Sequence, residues 1–353
     1  MNRDFVHQSH SGRVVFAAGA RARLAEEVDL LGLARLLVVS TPEQAELAAD
    51  LTSAFGERNV ELHPHAVMHV PAAVAADAVA RARQIGADGC IAIGGGSAIG
   101  LAKAVAKATG LPILAVPTTY AGSEMTPVWG LTEGSRKTTG RDPRVLPSTV
   151  VYDPELTVTL PTRISVASGM NALAHAAEAL YAPDGSPVTA LMAAESARAL
   201  TDALPLVVAD PHDVDARSGA LYGAWLAGSV LGATTMSLHH KLCHILGGTF
   251  DLPHAETHTA VLPHVLAFNL PAAPQARAAL EVAWGVPDAA AYVFELAQRL
   301  GAETSLKALG LPENALDTVI AEALEAPYAN PRPVADADLR HILRNALTGS
   351  APA

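Results

Sequence analysis

The sequence predicts a two-domain protein, an α/β half followed by an all-α half. Three observations carry that reading. Short apolar runs alternate with helical patterns as far as about Asp153, long Ala- and Leu-rich helical patterns with no convincing strand follow Pro161, and the chain has 353 residues. A single core stops growing near ~250 to 300 residues, so a chain of this length divides. The division is placed at 1–157 and 158–353, with the cleft between the halves as the expected seat of a ligand.

In chain order, Val14–Phe16, Leu36–Val39, Cys90–Ile93, Ile113–Val116 and Val150–Tyr152 read as strands. Pro42–Phe55 and Ala73–Ile85 read as helices between them, the alternation of a parallel sheet. Leu156 to Pro161 forms a short extended link with prolines at and beside its ends. Beyond it, Ser218 to His240 carries no Asp, Glu, Lys or Arg and is long enough to span a bilayer. It contains Gly219, Gly223, Gly228 and Gly232 among Ser and Thr and runs into histidines, so it reads as a buried central helix.

Half of the residues are hydrophobic, 17% are charged, and the net charge is -11. An acidic surface attracts neither nucleic acid nor an anionic membrane, so neither is expected as a partner. An anionic substrate would then need a locally basic site. Cys90 and Cys243 lie in different elements and form no spaced framework, as expected of reduced, buried thiols. The start Met1–Phe5 lacks the apolar core of a secretion signal, and a cytoplasmic location is expected.

Gly94-Gly95-Gly96-Ser97 follows a strand and opens the helix Ala98–Ala108. Glycines there let a backbone approach a pyrophosphate while the helix N-terminus offers free N–H groups. The G-x-G-x-x-G fingerprint is absent, so a tight turn without ligand is the plain alternative. Thr118, Thr119 and Ser123 come off the next strand end, where hydroxyls reach a ribose or nicotinamide or simply form turns. Thr41 ends the second strand, where a Rossmann-like enzyme often places a carboxylate on the adenosine ribose. Nothing there repels a 2′-phosphate, which leaves NADH and NADPH both open.

His240 and His244 are one helical turn apart, and His254 follows behind Gly247-Gly248, a break that would fold it back toward them. Asn171 and His175 repeat the one-turn spacing. Imidazoles at His175, His240 and His254 could bind a divalent ion, but a neutral carboxamide stands where a carboxylate would be expected. His175 with Asn171 also reads as a structural pair, and His244, His258 and His264 as supporting or buried structural groups. Lys241 sits among imidazoles on a largely uncharged segment, costly for a cation unless it meets an anion or lies at a solvated helix end.

At these residues the chain resembles the iron-containing (group III) alcohol dehydrogenase superfamily, and within it the maleylacetate reductases. Pro117–Pro127, Ser168–Asn171, His239–His244 and Asn330–Pro333 carry the resemblance, which covers essentially the whole chain. It implies the fold of that superfamily, a nucleotide-binding α/β domain with an all-α domain, shared in outline with dehydroquinate synthase. Its members generally hold a metal with one Asp and three His. The Asp position is Asn171 here, and Gly100 stands where the metal-dependent members carry another Asp, so no metal is expected.

The activity the resemblance implies is reduction of the conjugated double bond of maleylacetate, a dicarboxylate, to 3-oxoadipate with NADH or NADPH, in breakdown of aromatic compounds. It implies cofactor contacts from Gly94–Ser97, Thr118, Thr119, Ser123 and Thr41. His240 and His254 take the hydrogen-bond-donor and acid roles, Asn171, His175 and Lys241 position the substrate, and Tyr120, His244 and Arg332 complete its binding, Arg332 by pairing with a carboxylate. A homodimer is implied by analogy. The alternatives are a metal-dependent alcohol dehydrogenase or carbonyl reductase, and a reductase recruited to a biosynthetic substrate.

Overall fold

Apolar runs with no polar alternation make strands that must be covered on both faces, and the first half of the chain is built on them. The computed structural model describes residues 5–7, 12–134 and 136–353; Met1–Asp4, at the start read above, lie outside that range. Strands β1 (Arg13–Phe16), β2 (Arg35–Val39), β3 (Asn59–His63), β4 (Gly89–Gly94) and β5 (Ile113–Pro117) precede an antiparallel hairpin of β6 (Val128–Glu133) and β7 (Arg136–Arg141), and β8 (Thr149–Tyr152) follows it. Six of them form one parallel sheet in the order β1-β8-β5-β4-β2-β3. Helices α1 (Leu24–Leu30), α2 (Ala45–Thr52), α3 (Ala72–Gln84) and α4 (Gly96–Thr109) connect the strands.

Every residue of β4 and β5 is buried, as their unbroken apolar sequence requires. The sequence reading has no counterpart for β3 or for the hairpin. Both are partly solvated, so their strands carry polar residues such as Asn59, Glu61 and Thr132 that hide the apolar pattern.

The rest of the chain is helical: α5 (Thr162–Ala179), α6 (Pro187–Ala209), α7 (Val214–Ala233), α8 (Leu238–Phe250), α9 (His254–Asn269), α10 (Pro274–Trp284), α11 (Ala289–Arg299), α12 (Leu316–Glu325) and α13 (Asp336–Thr348). Two compact units result. The sheet unit runs to Leu160 and takes in His212–Leu221, while the helical unit holds Pro161–Pro211 and Tyr222–Ala353. Ser165 to Ala179 of α5 are buried without interruption, which is why their sequence is rich in Ala and Gly rather than amphipathic.

Two local expectations are corrected. The uncharged stretch Ser218–His240 is two helices, not one, because α7 stops at Ala233, and Asp184 takes the backbone N–H and hydroxyl of Thr235 at 2.8 and 2.7 Å. No helix among the described residues is long and apolar enough to cross a membrane. The break before His254 is not at Gly247-Gly248, which stay inside α8. It falls at Asp251, with φ 54°, ahead of Pro253. Asp tolerates the left-handed region better than most residues, and Pro253 cannot continue a helix hydrogen-bond ladder.

Gly223 on α7 lies against Leu200 of α6. A Cβ there would come within 2.7 Å of Leu200 Cγ and 3.1 Å of its backbone nitrogen. Alanine would gain about 1 kcal/mol of helix propensity, but the backbone contact cannot swing aside, and overpacking costs about 1–3 kcal/mol. Gly223→Ala is therefore expected to lower the urea midpoint of unfolding, and an unchanged or raised midpoint contradicts this packing argument.

Candidate active site

In the sheet unit the strand order reverses beside β2: β3 lies on one side of it, and β4 with the later strands on the other. A doubly wound sheet binds ligands at the carboxyl ends of the strands flanking such a reversal. Thr41 follows β2 at that point, and Gly94–Ser97 run from the last residue of β4 into the next helix. Helix α4 starts at Gly96 with no side chain capping it, which leaves its first N–H groups for an anion. Gly94 has φ 140°, and a Cβ there would run into the Gln44 amide oxygen. At Gly95 a Cβ would come within 2.8 Å of Thr119. The turn thus requires glycine, and above Gly96 the nearest atom to a Cβ would be the Ala121 side chain at 3.9 Å. These features fit a pyrophosphate.

Gln44, which sequence reasoning passed over, binds this site together. Its amide donates to the Thr118 hydroxyl at 2.7 Å, and the Thr118 N–H donates to the Gly94 carbonyl at 3.2 Å. Tyr120 is fully buried, with its hydroxyl accepting an N–H of the buried Arg217 at 3.2 Å.

In the helical unit, α5, α8 and α9 bring imidazoles together. One ligand atom from each of His175, His240 and His258, all buried, lies within 4.8 Å of the others. His258 is the centre of the group: its ring centroid is 4.8 Å from those of His239 and His240, 4.3 Å from His254 and 6.3 Å from His175. His240 Nε2, His175 Nδ1, Asn171 Oδ1 and both nitrogens of His258 are buried with no protein hydrogen-bond partner. An unsatisfied buried polar atom costs about 1–3 kcal/mol, and several such atoms on the grouped His175, His240 and His258 point to a site made for something other than protein.

Glu178, also unforeseen, organises this group. Its carboxylate accepts the backbone N–H groups of Ser237, His239 and His240 at 3.0, 2.9 and 3.4 Å, so a residue of α5 caps the N-terminus of α8. It also accepts His240 Nδ1–H at 2.7 Å. That bond fixes the ring and turns Nε2 toward the cluster. Burial pushes the Glu178 carboxyl up, against the pull of His239 and of the three N–H donors. Burial, reinforced by neighbouring imidazoles, holds His175, His240 and His258 well below the ordinary histidine range, and His239 is brought down to about 4.

The remaining candidates are more open. His254 is half-buried at the start of α9, and His244 is exposed, with its centroid 6.1 Å from His240 and 6.4 Å from His254. Lys241 is half-buried on α8. Arg332 is exposed, and its guanidinium stacks 4.3 Å from the centre of the Phe268 ring. Spacing bears on two of these residues: Glu178, which the sequence reading passed over, is three positions after His175, and His258, read there only as a supporting or buried structural group, is four after His254, each on the same helix face.

A divalent cation would find three neutral nitrogens at His175, His240 and His258, a fit in number and reach. The anionic donor is missing. Asn171 offers only an amide oxygen, and the Glu178 carboxylate is already occupied by four N–H groups.

Residues 11–154 match the iron-containing alcohol dehydrogenase family, and residues 165–347 match the C-terminal region of the same Fe-containing family. The chain is 54% identical over 348 residues to maleylacetate reductase of Sphingobium indicum, covering 99% of each, and 53% identical to that of Burkholderia cepacia, again over 99% of each. The crystal structure of maleylacetate reductase from Agrobacterium tumefaciens superposes with a TM-score of 0.96 at 49% identity, over 99% of this chain and 100% of that one. The chain is an oxidoreductase and belongs to the iron-containing alcohol dehydrogenase family.

Proposed function

We propose that the protein uses NADH or NADPH to reduce the carbon–carbon double bond of maleylacetate, giving 3-oxoadipate, without a catalytic metal. The observation that carries the substrate is the 54% identity to a maleylacetate reductase across 99% of the chain. The amide at Asn171, in a set of neutral donors, supports metal independence.

The double bond of maleylacetate is conjugated to its ketone; the Gly94–Ser97 loop would hold a reduced nicotinamide nucleotide, whose chemistry when bound would be hydride supply to the carbon β to that ketone, so that charge would gather on the enolate oxygen. Buried imidazoles at His175 and His258 hold that oxygen through their unpartnered nitrogens. His240 is kept neutral by burial with Nδ1–H committed to Glu178, so its Nε2 is an acceptor and not the donor expected of it. His254 is less buried than His258 and His240, and its access to water suits it to return a proton to carbon. Asn171, Lys241 and His244 position the dianion, and Arg332 and Tyr120 complete its binding. The thrifty feature is that a conjugated enolate spreads its charge, so neutral donors suffice where a simple alkoxide would call for a cation.

A second reading is a metal-loaded reductase. The converging nitrogens of His175, His240 and His258 favour it, as does the Glu178–His240 bond, the arrangement that orients imidazole ligands in many metal sites.

At the end of β2, Thr41 offers no carboxylate to the adenosine ribose. Glu43 nearby is held below the ordinary range by its own backbone N–H and the Thr41 hydroxyl, but it is exposed and screened. NADPH should therefore be used within roughly a hundredfold of NADH, because one charged contact is worth at most about 3 kcal/mol. The ratio of the two kcat/KM values checks this, and discrimination beyond roughly a thousandfold would exceed what that single contact supplies.

Maleylacetate-dependent NADH oxidation, with the product identified as 3-oxoadipate, tests the proposed reaction. A folded, nucleotide-binding protein that leaves maleylacetate untouched yet oxidises simple alcohols would overturn it. Within the working enzyme, His254→Ala is expected to lower kcat about a hundredfold or more, whereas Lys241→Ala should chiefly raise KM, since ground and transition states share the carboxylates. Equal kcat in His254→Ala and the parent would remove the acid role from that residue.

A further inference from the structure

Lys103 lies about two turns into α4 and is almost completely buried. A lone ammonium in such a place is costly, and here it is enclosed by oxygen. Its Nζ is 2.6 Å from the Ser123 carbonyl, 2.8 Å from those of Thr126 and Val128, 3.0 Å from the Thr126 hydroxyl and 3.3 Å from the Ser123 hydroxyl. An ammonium has three N–H groups, so five oxygens oversupply it with acceptors. Backbone carbonyls at these distances are the chemistry that replaces the hydration shell of potassium or ammonium ions. Glu124, buried in the same turn, accepts the Tyr152 hydroxyl at 2.8 Å; burial brings Lys103 down to about 7 and the Glu124 carboxyl up, and the pull of Glu124 on the ammonium opposes the first of these.

The caged turn has a defined neighbour. Ser123–Val128 continues the segment that carries Thr118 and Thr119, and those two residues are fastened to Gly94 and packed beside Gly95. Helix α4 itself begins at Gly96. One side chain therefore ties the helix that starts at the glycine turn to the loop that forms its other wall.

We propose that Lys103 is a positioning residue: its ammonium is the built-in cation of a five-oxygen cage that fixes the Ser123–Val128 turn, and through it the Thr118–Thr119 wall of the nucleotide site. This rests on the nucleotide reading of the Gly94–Ser97 loop given under the proposed function. The cage without its lysine is then a site for a small monovalent cation, which a purely space-filling role would not create.

The test uses Lys103→Ala, which vacates the cage, and Lys103→Met, which fills it without charge. Dissociation constants for NADH and NADPH are read from bound-nucleotide fluorescence, with no substrate present, in chloride salts of ammonium, methylammonium, potassium and tetramethylammonium at one ionic strength. Both variants are expected to bind the preferred nucleotide about tenfold or more weakly in tetramethylammonium chloride, the scale of lost hydrogen bonds to a charged group. Ammonium, methylammonium or potassium should restore binding to Lys103→Ala and not to Lys103→Met. Parental affinity in both variants, or recovery that is absent or equal in all four salts, overturns the proposal. If Lys103→Ala fails to fold, its refolding is followed by circular dichroism in the same salts: recovery selective for the small cations supports the cage, and failure in all of them rejects it. A parent protein that binds nucleotide but does not reduce maleylacetate rejects the proposed reaction and leaves the cage standing, whereas a parent that binds neither nucleotide overturns the positioning role.

Discussion

The chemistry of the helical unit hangs on one carboxylate. Glu178 is buried on α5, where a charge without partners would be displaced by protonation, and it is surrounded instead by the open N-terminus of α8 and by His240. Helix termini stabilise an anion by about 0.3–1 kcal/mol at exposed sites and up to ~2 kcal/mol when partly buried. Each charge-assisted hydrogen bond adds about 1.5–3 kcal/mol, and together they oppose burial, which still leaves the Glu178 carboxyl above its ordinary range. Without Glu178, α8 would begin with unsatisfied donors and His240 would lose the bond that fixes its ring. The same contact thus joins fold to site.

Around that anchor the unit gathers imidazoles and keeps them neutral. Burial and mutual repulsion disfavour protonation of His175, His240 and His258, and their orphaned nitrogens stay open for a ligand. A neutral cluster has two chemical uses: three lone pairs can hold a cation, or N–H groups can hold a developing oxyanion. Asn171 bears on the choice, because a carboxylate there would add the negative charge that binds a divalent ion selectively, and an amide adds none.

The sequence made some of this readable and hid the rest for physical reasons. The central strands and the glycine turn were legible because doubly buried strands are uniformly apolar and because Gly94 must adopt a backbone that other residues resist. Asn171 and His175 were legible from one-turn spacing. The edge strand β3 and the hairpin were not, since solvated strands carry no apolar signature. Glu178 could be placed on the helix face of His175 by its spacing of three, but its role was hidden because it depends on the N-terminus of a helix distant in sequence. Lys103 was hidden for the same reason: its five oxygens come from residues 20 or more positions away. The reading of Gly247-Gly248 as a break failed because glycine permits a turn without requiring one, while Asp251 and Pro253 supplied it.

The proposal that neutral donors at Asn171, His175 and His258 serve without a metal is tested most directly by elemental analysis of the purified protein before and after exhaustive chelation, paired at each stage with maleylacetate-dependent NADH oxidation. Turnover that is unchanged by chelation, in protein carrying well under stoichiometric Zn or Fe, is the expected result. About one tightly held Zn or Fe per chain, with turnover lost on its removal and regained on its return, would contradict it.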